Sequence, residues 1–257
     1  MDITIYPRRL QGEITVIPSK SQAHRLLICA AFADRPTQLL CPETNRDIEA
    51  TADCLRALGA QIMKTDSGYT VFPIENIPQT AQLNCCESGS TLRFMLPIVG
   101  ALGVDTLIQM EGRLPQRPLS PLWEEMERMG CHLERPTENT IRCSGKLQPG
   151  NYRIDGSVSS QFITGLLFAL PILDGDSKIV IQPPFESKPY VDMTIKALET
   201  FGVSVQYENE YTILIKGKQR YTAADTAVEG VWSGGAFLFA LSMLHPEISI
   251  SGYDKES

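Results

Sequence analysis

The stretch Ser157-Val158-Ser159-Ser160-Gln161-Phe162, continuing into Leu166-Leu167-Phe168-Ala169-Leu170, decides how this 257-residue chain folds. A polar, serine-led start is followed by a segment apolar nearly all round, which is the pattern of a helix buried inside a core. A second helical segment then closes on glycine at Thr200-Phe201-Gly202-Val203. The same pairing occurs twice earlier. Ser19-Lys20-Ser21 leads to Ala57-Leu58-Gly59-Ala60, and Ser88-Gly89-Ser90 leads to Arg128-Met129-Gly130-Cys131, with the closing glycines 71 and 72 positions apart. A fourth start, Trp232-Ser233-Gly234-Gly235 followed by Ala236 to Leu244, arrives on schedule, and Ser257 is reached before a fourth glycine-closed helix, so the sequence reads as a pattern cut off part-way.

A period near 70 exceeds the roughly 20 to 50 residues of solenoid repeats, so each copy is expected to be a small α/β unit. Three such units predict one compact domain of roughly 200 residues. Alternating β-branched runs predict strands at Ile3 to Tyr6, Glu13 to Ile17, Thr106 to Met110, Thr140 to Cys143, Lys178 to Gln182, Val203 to Tyr207 and Tyr211 to Ile215, with a turn around Glu210. Further helices are predicted over Asp47 to Leu58, Pro121 to Met129 and Tyr190 to Phe201. In the first of these Ile48, Ala52, Leu55 and Leu58 form one apolar stripe, so this helix should face the core on one side only.

A buried helix with a polar start poses a specific problem. Its first N–H groups have no partner within the helix, and the positive end of its dipole favours an anion. Serine capping answers the first need in any protein. Capping gives no reason for Lys20 and Arg25 in the first start or Arg93 in the second, because charged side chains are rarely buried unpaired.

Composition narrows the function. A net charge of −7 opposes non-specific nucleic-acid binding, so any anion site must be a local cluster of cations. The longest apolar stretch, Phe162 to Leu173, is interrupted by Thr164 and Pro171 and is too short to span a bilayer. Met1-Asp2-Ile3-Thr4-Ile5 alternates like a strand and lacks a signal-peptide pattern, which predicts a soluble cytoplasmic protein. The seven cysteines contain no C-x-x-C pair and the three histidines are scattered, so reduced thiols and no zinc site are expected.

Five short segments in order carry a resemblance. Pro18-Ser19-Lys20-Ser21-Gln22-Ala23-His24-Arg25, Ser88-Gly89-Ser90-Thr91-Leu92-Arg93, Gln116-Arg117-Pro118, Ser159-Ser160-Gln161-Phe162 and Ser187-Lys188-Pro189-Tyr190 resemble the motifs of the enolpyruvyl transferases, specifically the branch acting on shikimate-3-phosphate. The resemblance covers the whole chain and corresponds to the first three-fifths or so of a family member. It implies an inside-out α/β domain of three βαβαββ repeats with buried parallel helices, over residues 19–228. Residues 1–18 and 229–257 would then be a fragment of a second such domain, with the active site in the cleft between the two.

The implied reaction moves the enolpyruvyl group of phosphoenolpyruvate to the 5-hydroxyl of shikimate-3-phosphate through a tetrahedral adduct, without metal or organic cofactor. Carried over position by position, Lys20, Ser21, Arg25, Ser159, Ser160, Gln161 and Ser187 would contact shikimate-3-phosphate, with Tyr190 beside them and Lys20 also reaching phosphoenolpyruvate. Gly89 and Arg117 would hold phosphoenolpyruvate, with Arg93 and Arg113 as neighbours. Arginine forks suit phosphate and carboxylate groups, and a glycine lets backbone approach a small anion. Family members usually carry Asp where this chain has Val231, and their acid and base residues lie in the second domain. The resemblance therefore implies substrate binding without turnover for this chain alone, and an apolar surface at Trp232, Phe237, Leu238, Phe239 and Leu241 that predicts either self-association or a mobile C-terminus after about residue 230. Two other readings stand beside it. The relative acting on UDP-N-acetylglucosamine normally opens K-N-A-A and uses a loop cysteine, neither of which occurs here, and a catalytically silent binding or regulatory remnant is the third possibility.

Overall fold

The computed structural model of the chain describes residue 4, residue 6 and residues 9–252. In chain order the elements are β1 (Gly12–Thr15), α1 (Lys20–Ala31), β2 (Thr37–Leu40), α2 (Arg46–Ala57), β3 (Gln61–Thr65), β4 (Gly68–Phe72), β5 (Thr80–Asn84), α3 (Gly89–Leu102), β6 (Asp105–Gln109), α4 (Leu122–Arg128), β7 (Cys131–Thr137) and β8 (Thr140–Gly145). They continue as β9 (Asn151–Asp155), α5 (Ser160–Ala169), β10 (Ser177–Gln182), α6 (Lys188–Thr200), β11 (Val205–Asn209), β12 (Thr212–Ile215), β13 (Thr226–Ala227), α7 (Trp232–Leu244) and β14 (Ile248–Ser251). The strand predicted at Ile3 to Tyr6 falls largely outside the described residues.

Three four-stranded sheets share one plan. The orders are β13-β2-β4-β3, β5-β6-β8-β7 and β9-β10-β12-β11, and in each the first pair is parallel and the other two are antiparallel. The 70-residue period is thus a β-α-β-α-β-β unit with one strand displaced. The first repeat's leading strand is β13, from the far end of the third repeat, whose Thr226 and Ala227 pair with Leu39 and Leu40. Strand faces alternate as a half-buried sheet requires, with Ile179 and Ile181 buried and Lys178 and Val180 less so.

The serine-led helices fill the interior. From Ala23 to Ala31 every residue of α1 is buried, as is every residue of α3 from Thr91 to Ala101 and of α5 from Phe162 to Ala169. Helix α3 packs on α5, α1 packs on α2 and α6, and α5 packs on α6. The result is an inside-out α/β arrangement, with sheets outside and helices at the centre. Helix α2 is one-sided as predicted: Ile48, Ala52 and Leu55 are buried, whereas Asp53 is exposed. Gly59, Gly130 and Gly202 end their helices at φ of +109°, +102° and +75°, which an L side chain would resist.

The chain ends stand apart from this core. β1 pairs in parallel with β14, and the two crossing segments are clamped where Pro18 bridges Gly230, with Ser19 N–H donating to Glu229 O at 2.7 Å and Val231 N–H to Ile17 O at 2.9 Å. Helix α7 buries only Gly235, while Phe237, Met243 and Leu244 are 81%, 84% and 78% exposed. No helix among the described residues is long and apolar enough to cross a membrane.

Candidate functional site

Capping is realised at all three serine-led starts. Ser19 Oγ accepts from Gln22 N–H at 3.4 Å, Ser88 Oγ from Thr91 N–H at 3.3 Å, and Ser159 Oγ from Gln161 N–H at 3.2 Å. Capping and anion binding are compatible at one helix end, because a cap satisfies only one of its orphan donors. Ser187 is different: it opens α6 at φ +56° with no side-chain cap, leaving its exposed hydroxyl free of that duty.

The densest positive cluster forms at the start of α3. A Cβ built on Gly89 would lie 2.8 Å from one guanidinium nitrogen of Arg93 and 2.9 Å from one of Arg117, so the two cations face each other across this glycine. Arg93 is 7% exposed and donates to Gln161 Oε1 at 2.7 Å and to Pro118 O at 3.1 Å. Gln161 in turn donates to Ser90 Oγ at 2.9 Å. Among the described residues neither Arg93 nor Arg117 is ion-paired with a carboxylate, and Arg93 Nε is buried without a partner. Burial, and then the charge of Arg117, holds the Arg93 guanidinium below its ordinary pKa. An anion seated at Gly89 would reverse the second effect and offset the first. Arg113 stands exposed just before the short 3-10 turn Leu114–Gln116 that leads to Arg117.

A second group sits one turn along α5. Arg25 is 2% exposed and donates to Thr194 Oγ1 at 2.8 Å, Tyr190 O at 2.9 Å, Thr164 Oγ1 at 3.4 Å and Ser21 O at 2.5 Å. Burial pushes its pKa down to about 10, so it remains charged at neutral pH. The guanidinium thereby joins α1, α5 and α6, and four of its N–H donors are spent on protein acceptors. Lys20 lies at the surface and pairs with Asp47 at 2.8 Å. Tyr190 is 47% exposed, and with Ser21 it lines a cavity of about 790 Å³ bounded by α1, α6 and residues 226–233. That cavity includes Lys196, Glu229 and Trp232, and it does not reach Gly89, Arg93, Arg117 or Gln161.

The residues singled out from the sequence therefore fall into two neighbouring sets. Gly89, Arg93, Arg117 and Gln161 form one. Ser21, Arg25 and Tyr190 form the other, beside Ser187 and Lys20 at the ends of α6 and α1. Ser159 and Ser160 open α5, the helix that carries Gln161 to the first set and Thr164 to the second. Asp47, Thr164 and Thr194 were not singled out. Thr194 and Thr51 each stand eight residues before a closing glycine, a repeat signal visible only once the register is known.

Comparison with known proteins decides the family. The sequence model described as EPSP synthase (3-phosphoshikimate 1-carboxyvinyltransferase) matches residues 5–257. This chain belongs to the EPSP synthase family. The 3-phosphoshikimate 1-carboxyvinyltransferase of Clostridium beijerinckii is 39% identical over 267 residues, which cover 100% of this chain and 61% of that protein. The corresponding proteins of Clostridium kluyveri and Clostridioides difficile are 38% and 39% identical, with 99% of this chain and 60% and 61% of theirs covered. A solved EPSP synthase from Acinetobacter baumannii superposes with a TM-score of 0.80 at 19% identity, covering 96% of this chain and 56% of that one, a likeness of fold. The chain spans about three-fifths of the length of the curated relatives it matches.

Proposed function

We propose that this chain forms the substrate-holding half of a 3-phosphoshikimate 1-carboxyvinyltransferase. Its three-sheet body, residues 19–228, would be one domain, with residues 1–18 and 229–257 belonging to a second. In the whole protein, the enolpyruvyl group of phosphoenolpyruvate passes to the 5-hydroxyl of shikimate-3-phosphate, with release of phosphate. Ser21, Arg25, Ser159, Ser160, Gln161, Ser187 and Tyr190 would take shikimate-3-phosphate. Gly89, Arg93 and Arg117 would take phosphoenolpyruvate, with Lys20 between the two substrates.

The observation that carries this reading is the meeting of Arg93 and Arg117 at Gly89, where two guanidiniums without carboxylate partners among the described residues face a helix N-terminus. The Arg93 charge, buried, fixed by Gln161 and beside the exposed Arg117, is costly unless an anion arrives. Two substrates bearing phosphates and carboxylates supply such anions. The Arg93 fork, fixed in advance by Gln161 and Pro118, binds such a group at little entropic cost.

Isothermal titration calorimetry with shikimate-3-phosphate tests this reading. Heat with a stoichiometry of one supports it, and absence of heat at millimolar ligand refutes it. The same reading holds that the chain alone does not turn over, and measurable phosphate release from the two substrates would refute that part. The exposed apolar face of α7 is proposed as a packing surface through which copies associate, and a concentration-independent monomer in sedimentation velocity would contradict this.

A further inference from the structure

Behind Gly89 runs a line of buried polar groups. His24 Nδ1 lies 2.7 Å from Thr51 Oγ1, Thr51 Oγ1 lies 2.7 Å from Thr91 Oγ1, and Thr91 Oγ1 donates to Ser88 Oγ at 2.8 Å. The three inner members are 0% exposed and Ser88 is 2% exposed. They come from three helices: His24 from α1, Thr51 from α2 and Thr91 from α3, with Ser88 as the α3 cap immediately before Gly89.

Each hydroxyl has one hydrogen to give, so the direction of the line can be worked out. Thr91 gives its hydrogen to Ser88 at 2.8 Å in preference to the more distant Asp47 O at 3.4 Å, and with either acceptor the contact between Thr51 and Thr91 must be filled by the hydrogen of Thr51. Thr51 then has none left for His24, which must donate from Nδ1. The other ring nitrogen, Nε2, is buried with no partner among the described residues. As a bare lone pair it costs less than an orphaned N–H would in the same place. Running the line the other way would leave an N–H at Nε2 without an acceptor among the described residues. Burial, and then the charge of Arg25, pushes the imidazole pKa down to about 3, so only the choice between neutral tautomers is open at neutral pH.

We infer that His24, Thr51 and Thr91 are positioning residues for the anion subsite, forming a one-way hydrogen-bond line from His24 Nδ1–H that fixes the Ser88 cap and so the Gly89 backbone opposite Arg93 and Arg117. This rests on the proposed phosphoenolpyruvate subsite and adds residues to it that touch no ligand. The line ties α1, α2 and α3 to one cap, since His24, Thr51 and Thr91 each have their single hydrogen committed. Valine at position 51 keeps the shape of threonine and removes both hydrogen bonds, whereas serine keeps them.

The test combines two readouts on the chain as it stands. Histidine side-chain ¹⁵N NMR is expected to show His24 as the Nδ1–H tautomer in the wild-type chain, and Thr51→Val is expected to change that signature. Titration with phosphoenolpyruvate is expected to show roughly fivefold weaker binding for Thr51→Val, the loss of about one buried hydrogen bond. Thr51→Ser should bind like the wild-type chain, and shikimate-3-phosphate binding should be the same in all three. An Nε2–H tautomer in the wild-type chain, or wild-type affinity in Thr51→Val, overturns the inference and leaves the proposed function standing. No phosphoenolpyruvate binding by the wild-type chain overturns the phosphoenolpyruvate subsite and the inference together.

Discussion

Arg93 on α3 donates to the side-chain carbonyl of Gln161 on α5 at 2.7 Å, so a cation of the second repeat is aimed by an amide of the third. Gln161 also reaches Ser90, and three residues further along α5 Thr164 meets Arg25 of the first repeat. One helix therefore sets the positions of cations from both other repeats. Replacing Gln161 by Leu should leave Arg93 with Pro118 O but without its side-chain acceptor, weaken phosphoenolpyruvate binding roughly fivefold and reduce stability by about 1 to 2 kcal/mol, as read by calorimetry and urea unfolding.

Gly89→Ala separates the subsite from the fold. The added methyl would meet the far ends of two flexible side chains, at 2.8 and 2.9 Å, and no backbone among its nearest neighbours. Arg117 is exposed and can swing aside, whereas Arg93, held by Gln161 and Pro118, yields by a smaller shift, so the unfolding midpoint should fall only modestly. The space for the anion is lost, and phosphoenolpyruvate affinity should fall at least about tenfold, roughly the 1.4 kcal/mol of a displaced charged contact. Calorimetry on the variant should still detect shikimate-3-phosphate.

Arg25→Ala should act on the fold first. Its guanidinium supplies hydrogen bonds to Thr194, Tyr190, Thr164 and Ser21 from a position 2% exposed, and alanine removes all four and empties the buried space between three helices, leaving only the Thr164–Thr194–Tyr190 contacts. A loss of about 3 kcal/mol or more in urea unfolding is expected. Arg25→Lys should restore little, because an ammonium on an unbranched stem cannot span acceptors on three helices.

Acid should weaken the chain through His24. Its pKa is about 3 when folded, against about 6.5 in an unfolded chain. Between these values only the unfolded state takes up the proton, so stability present above pH 6.5 drains away by up to about 1.4 kcal/mol per pH unit as pH falls towards 3. Urea midpoints at pH 7 and pH 5 should fall further apart for the wild-type chain than for His24→Gln. Equal pH dependence in both would remove His24 from the account.

The repeat plan and the central helices were legible because their signals are local. Ser88, Ser159, Gly130 and Gly202 mark helix ends within a few residues of sequence, and the apolar run from Leu166 to Leu170 has no polar side to expose. Strand β13 was not legible. Two residues, Thr226 and Ala227, complete a sheet whose other members lie between residues 37 and 72, and no local pattern reports a pairing that distant. Strands β2, β3, β4, β5, β7, β9 and β14 were missed as well; they are four to seven residues long, and in β3 the exposed Met63 and the polar Lys64 and Thr65 break the apolar alternation.

Within the candidate site, Arg93 and Arg25 stood out because buried charge is unusual, and both are indeed buried. What their charges face was not readable, since Gln161, Thr164 and Thr194 reach them across packed helices. The motif that flagged Arg25 says nothing of its acceptors either. Four hydrogen bonds to protein show it bracing α1, α5 and α6, whatever contact it makes with ligand at its rim.

The most direct measurement of the central claim is a ¹H–¹⁵N correlation spectrum of the chain titrated first with shikimate-3-phosphate and then with phosphoenolpyruvate. The account predicts saturable shifts that begin at Ser21, Ser160, Gln161 and Ser187 and then extend to Gly89 and the side chains of Arg93 and Arg117. Unchanged spectra at millimolar ligand, or shifts confined to surfaces away from the starts of α1, α3, α5 and α6, would contradict it.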